Sequence, residues 1–107
     1  MTLEELGVII GEKVRAQERT AFGDFTASFP GVETKDQPTD ACLTGTYGYG
    51  KTPDEAKTHY ARELRGKWLV VNALGDQRRM ELRVPRTLVF RESPACLENG
   101  NTVCVRR

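Results

Sequence analysis

Histidine is nearly missing from this sequence: His59 stands alone among 107 residues. A nucleophile–histidine–carboxylate arrangement therefore has one residue to draw on. Structural zinc takes four nitrogen or sulfur ligands in close pairs, and the chain is too poor in them for a metal site to be expected. Cysteine is scarce as well, with Cys42, Cys96 and Cys104. An odd count, with seven residues between the last two, fits free thiols in a reducing compartment.

No apolar run approaches the ~20 residues that span a bilayer. The start, Met1-Thr2-Leu3-Glu4-Glu5, is acidic and polar, where a secretory signal opens basic and turns apolar. A cytoplasmic protein without a membrane partner is the expectation. An excess of either charge is also lacking: 16 Lys and Arg face 15 Asp and Glu, for a net charge of +1. Any affinity for nucleic acid must then come from a local patch. Carboxylates fall in caps and turns with no pair on one face, so no catalytic residue is assigned and an enzyme is not expected.

What is present reads as one α+β domain over residues 1–107. Thr2 with Glu5 forms a capping box, and Leu3, Leu6, Ile10 and Val14 recur at helical spacing, predicting a helix over 2–19. Residues 22–29 alternate, with Phe25, Ala27 and Phe29 inward, and Pro30-Gly31 ends that strand. Residues 33–40 read as a polar loop and 41–48 as a second strand with Leu43 and Tyr47 on one face. Thr52-Pro53-Asp54-Glu55 starts a capped helix over 53–65 with Ala56, Tyr60 and Leu64 as its buried stripe. An apolar strand at 68–73, a Gly75-Asp76 turn and an alternating strand at 78–84 make a hairpin, with Met80, Leu82 and Val84 inward and Arg79, Glu81 and Arg83 outward. Phe25, Phe29 and Trp68 are core candidates. Asn99-Gly100 favours a small terminal hairpin in which Cys96 and Cys104 point to opposite faces. The predicted order is α-β-β-α-β-β, a two-layer antiparallel sheet with helices on one face.

Residues 45–52, Gly-Thr-Tyr-Gly-Tyr-Gly-Lys-Thr, match the phosphate-loop pattern G-x-x-x-x-G-K-[ST]. In such a loop Lys51 would reach the β/γ-phosphates and Thr52 would hold magnesium, which leaves a nucleotide-binding enzyme as one reading. Three features oppose it: an antiparallel setting, Asn72 where the apolar run 68–71 would need a following carboxylate, and Asp54 and Glu55 at the helix end that would receive phosphate. The preferred reading is a strand leaving through a glycine turn into a capped helix, with no cofactor.

Cations crowd residues 62–91, where Arg62, Arg65, Lys67, Arg78, Arg79, Arg83, Arg86 and Arg91 outnumber Glu63, Asp76 and Glu81. Such a surface suits an anionic partner, and it also suits a solvated hairpin face. Tyr47 and Tyr49 flank Gly48, as an aromatic platform for a planar ligand or as ordinary packing.

The run 48–56, Gly-Tyr-Gly-Lys-Thr-Pro-Asp-Glu-Ala, continuing through Tyr60-Ala61 and Leu64 to Gly66-Lys67, resembles a segment of HicB-type antitoxins, where two strands lead through a glycine turn into a T-P-x-E-A helix. It is also similar to a run in small phage proteins. The resemblance covers about residues 41–73 and implies a small binding domain rather than an enzyme, in the host cytoplasm if phage-encoded. The expectation is an accessory or inhibitory protein that binds a host protein or a small anionic ligand and can pair as a homodimer through strand edges. A nucleic-acid-binding module using the basic 62–91 stretch is the alternative. Contact candidates are Tyr47, Tyr49, Lys51, Arg62, Arg65, Arg79, Arg83 and Arg86.

Overall fold

The first helix is shorter than its periodicity suggests. In the computed structural model, which describes residues 1–73 and 79–91, helix α1 runs Leu3–Ile10. The capping box forms as the sequence predicts: Glu5 N–H donates to Thr2 Oγ1, and Thr2 N–H donates to the Glu5 carboxylate. Gly11 adopts φ 75° and its N–H donates to the Gly7 carbonyl, which closes the helix. The predicted helix over 2–19 is therefore corrected to eight residues followed by strand β1, Arg15–Arg19. Arg-Ala-Gln-Glu-Arg are helix formers, but pairing with the next strand overrides that preference.

Strand β2, Asp24–Ser28, pairs antiparallel with β1, with Arg19 opposite Asp24 and Gln17 opposite Thr26. The chain then passes Pro30-Gly31 and re-enters extended structure as β3, Val32–Lys35. The polar loop expected at 33–40 thus begins as a strand. The strand expected at 41–48 is also corrected. Only a bridge at Thr44 with Thr34 and the short β4, Gly48–Gly50, form there. Leu43 is half-buried and Tyr47 is half-exposed, so they do not form one buried face.

Helix α2, Pro53–Leu64, follows, then β5, Trp68–Val71, and β6, Met80–Arg83. Among the described residues the order is α-β-β-β-β-α-β-β, with two small antiparallel sheets, β1-β2-β4 and β3-β5-β6, in place of one. The division has a local cause. Phe25 faces Gly50 and Thr34 faces Thr44, so the eight residues 26–33 on one side oppose the five residues 45–49 on the other across Pro30-Gly31. The extra residues break the ladder and open a cleft of ≈ 580 Å³ lined by Pro30, Gly31, Tyr47 and Asn72.

One apolar cluster joins both sheets and both helices, including Leu3, Leu6, Phe29, Tyr60, Leu64, Leu69 and Leu88. Helix α2 contributes the predicted stripe of Ala56, Tyr60 and Leu64. The buried Tyr60 hydroxyl accepts from Phe29 N–H at 3.0 Å. Burial drives its pKa up to about 12. The hairpin β5–β6 keeps its predicted alternation: Leu82 and Met80 pack on the cluster, while Glu81 lies opposite Val70 on the other face. Trp68 shares that far face with Lys35 and Arg83 by register, so it is not a core residue as expected. Gly75-Asp76 and the 95–105 hairpin with Cys96 and Cys104 lie outside the described residues. No helix among the described residues is long and apolar enough to cross a membrane.

Candidate functional site

Gly48 and Gly50 fix how α2 meets the first sheet. A Cβ on Gly48 would stand 2.1 Å from the Ala56 carbonyl oxygen and 2.3 Å from Tyr60 N, and one on Gly50 would meet Ala56 N at 2.6 Å. The helix therefore rests directly on the strand backbone, which only glycine allows. Alternation then sends Tyr49 to the opposite face. Register places Thr26 and Gln17 beside it in one row, and Asp24, Arg19 and Arg15 on the same side. Helix α2 covers one side of this sheet, and Arg15, Gln17 and Tyr49 are exposed on the other.

That open face carries an ordered group of side chains. The β1–β2 turn is tight: Phe22 N–H and Gly23 N–H both donate to the Arg19 carbonyl. It carries Phe22 outward, 68% exposed. The Arg19 guanidinium lies 4.3 Å from the Phe22 ring centroid and 4.8 Å from that of Tyr49, itself 42% exposed. Asp24 accepts both Arg19 Nε at 2.8 Å and Arg19 Nη2 at 2.7 Å, a bidentate fork that sets the guanidinium plane. The Arg19 hydrogen bond holds the Asp24 carboxyl below its usual range, with smaller help from the charge of Lys51, and the same bond raises the pKa of Arg19. Two exposed rings thereby lie beside one oriented cation.

Beside this face, the free edge of β4 and helix α2 bound a groove of ≈ 510 Å³ that includes Tyr49, His59 and Arg62. Tyr49 N–H donates to His59 Nδ1 at 2.9 Å. An accepting Nδ1 leaves the ring proton on Nε2, which lies 3.3 Å from Glu63 Oε2. His59 therefore ties the helix to the strand edge and takes up an amide that would otherwise be open to another strand.

Residues 45–52 do not have the arrangement of a phosphate loop. Strand β4 runs antiparallel to β2, Tyr49 N–H is taken by His59, and Lys51 N–H donates to the Glu55 carboxylate at 2.9 Å. Glu55 N–H donates to Thr52 Oγ1, so Thr52 caps α2 as predicted. The reciprocal bond expected at Thr52 N–H is made at Lys51 N–H instead. Gly48 and Gly50 serve helix–strand contact.

The contact candidates from sequence fall in three places. Tyr49 lies on the open face, Lys51 is near enough to Asp24 to lower its pKa, and Arg62 lines the adjoining groove. Tyr47 lines the cleft at the sheet break. Arg65, Arg79, Arg83 and Arg86 belong to the other end of the molecule. Arg65 Nε donates to the Leu88 carbonyl, and Arg79 pairs with Glu81. Glu81 also pairs with Lys35, whose side chain is 4% exposed. Arg83 sits opposite Trp68, and Arg86 lies near Gly66. The basic stretch 62–91 is thus not one continuous patch among the described residues. Sequence reasoning did not single out Arg15 or Arg19, because residues 15–19 read as helix, or Phe22, because it read as the start of the strand 22–29 rather than as part of a turn. The signal available was Gly23 between two alternating runs, a hairpin loop with an aromatic at its tip.

Among the described residues, no group of three or more His, Cys, Asp or Glu could hold a metal ion. Compared with protein-family models, with curated proteins and with solved structures, the chain matches none.

Proposed function

We propose that this protein acts by binding an anionic partner, as an accessory or inhibitory protein rather than a catalyst, and that the open face of the β1-β2-β4 sheet is its contact surface. One observation carries the reading: a sheet face left uncovered bears two exposed rings held around a pre-oriented arginine. Exposed aromatic and arginine side chains with fixed rotamers lose little entropy on binding, which is why they dominate contact surfaces. The charge on this face is positive, since Arg15, Arg19 and Lys51 stand against Asp24.

Titration of ¹⁵N-labelled protein with inorganic polyphosphate tests the reading. Amide shifts are expected along 15–28 and 48–51. Shifts confined to 62–68 and 79–86 would transfer the contact to the second sheet, and an unchanged spectrum would end the anion reading.

A further inference from the structure

We propose that the partner of this face is single-stranded nucleic acid, whose bases stack on Phe22 and Tyr49 while its phosphates meet Arg15 and Lys51. The inference rests on the anion-binding reading above and names the ligand class. The exposed rings and the openness of the face select it. Both rings are substantially exposed beside Arg19; the His59 ring also neighbours Tyr49, with centroids 6.2 Å apart, so Phe22 offers the more open surface to a planar group. Stacking on such rings tolerates any base, because every base has a π-face. A small anion would need converging donors in an enclosed site, yet the Arg19 fork is already committed to Asp24 and the surface is open. Duplex nucleic acid keeps its base faces inside the stack, so it would meet only the cations.

Anisotropy with fluorescein-labelled dT12 and rU12, a 12-base-pair duplex, and unlabelled inorganic polyphosphate as competitor tests this on the full chain. Single strands should bind at least ten-fold tighter than the duplex at the same salt. Tyr49→Leu and Phe22→Ser should each weaken single-strand binding roughly ten-fold, with unchanged thermal melts and a clearly smaller loss of polyphosphate affinity. Arg15→Ala should make the log–log salt slope shallower by about 0.7. Equal affinity for strand and duplex, or ring variants that bind strands like the parent, would overturn the inference. If polyphosphate still bound in that case, the anion reading would survive alone. If neither polyphosphate nor strands bound, both would fall.

Discussion

The two sheets treat their outward faces in opposite ways. Both are three-stranded and antiparallel, and both lend one side to the common core. On the far side of β3-β5-β6, charge is matched inside the protein at Lys35, Glu81 and Arg79, while Arg83 stays exposed. Lys35 is buried against Glu81 at 2.7 Å and donates to the Pro38 carbonyl, Arg79 closes on the same carboxylate, and Val70 beneath is fully buried. On the far side of β1-β2-β4, Arg19 is held by Asp24 but keeps two exposed rings around it, and Arg15 and Lys51 face solvent. Similar residue types give a finished surface in one sheet and an available one in the other. Composition alone, with cations richest in 62–91, points to the other sheet.

The largest effects should come from the covered side of the first sheet. Gly48→Val drives a side chain into the backbone of α2, where the first carbon already lies 2.1 Å from the Ala56 oxygen. A loss of about 3 kcal/mol or outright unfolding is expected in urea titration. Lys51→Ala, at an exposed position of the same glycine-rich run, should change stability by less than ~0.5 kcal/mol. A tolerated Gly48→Val would break the account of why this sheet can leave its other face bare.

Tyr60→Phe comes next. It leaves the buried Phe29 N–H without its acceptor, at a cost of about 1–3 kcal/mol at neutral pH. The parent protein should also lose stability in alkali. The phenol is neutral in the fold with its pKa at about 12, against 10.0 unperturbed. The stabilising contribution is full below pH 10, falls as pH rises through the folded value, and amounts to about 3 kcal/mol in total. Chemical denaturation between pH 9 and 12 should show that decline in the parent and a flatter profile in Tyr60→Phe.

These examples indicate which features were legible in the sequence. Helix α2 could be read because Thr52, Pro53 and the Ala56–Tyr60–Leu64 stripe are local and mutually consistent. The β5–β6 hairpin could be read because its alternation has period two and both strands are adjacent in the chain. The extent of α1 could not, because the helix formers 15–19 become a strand only through pairing with 24–28. Nor could the second sheet's β3, since Val32–Lys35 is short, polar and paired with residues 68–71 far along the chain. The candidate site followed the same division. Tyr49 and Lys51 were visible from the glycine-rich run, whereas Arg15, Arg19 and Phe22 required the corrected strand.

A smaller effect separates the two faces by pH. The Lys35 hydrogen bond, followed by that of Arg79, lowers the Glu81 pKa. A depressed carboxylate contributes stability above its ordinary range and loses it as pH falls through the folded value. Lys35→Met should therefore flatten the acid limb of the stability profile below about pH 4.5 while leaving single-strand affinity at pH 7 unchanged. Asp24→Asn flattens the same limb through Arg19, but it also frees the guanidinium, so binding should change with it. Equal effects of both variants on binding would erase the distinction between the sheets.

The smallest expected change is the most discriminating. Arg83→Ala and Arg86→Ala remove exposed cations from the second sheet's end of the molecule. Each lowers the total charge as much as Arg15→Ala does. If long-range attraction alone governed association, the three variants would weaken strand binding equally, and all would converge at high salt. If contact is made on the first sheet, Arg83→Ala and Arg86→Ala should change affinity by less than about two-fold at 0.15 M salt, where charges beyond ~8 Å are screened. Arg15→Ala should exceed both and should alone reduce the salt slope. Anisotropy titrations of the three proteins at two salt concentrations decide between a diffuse cationic surface and a defined face.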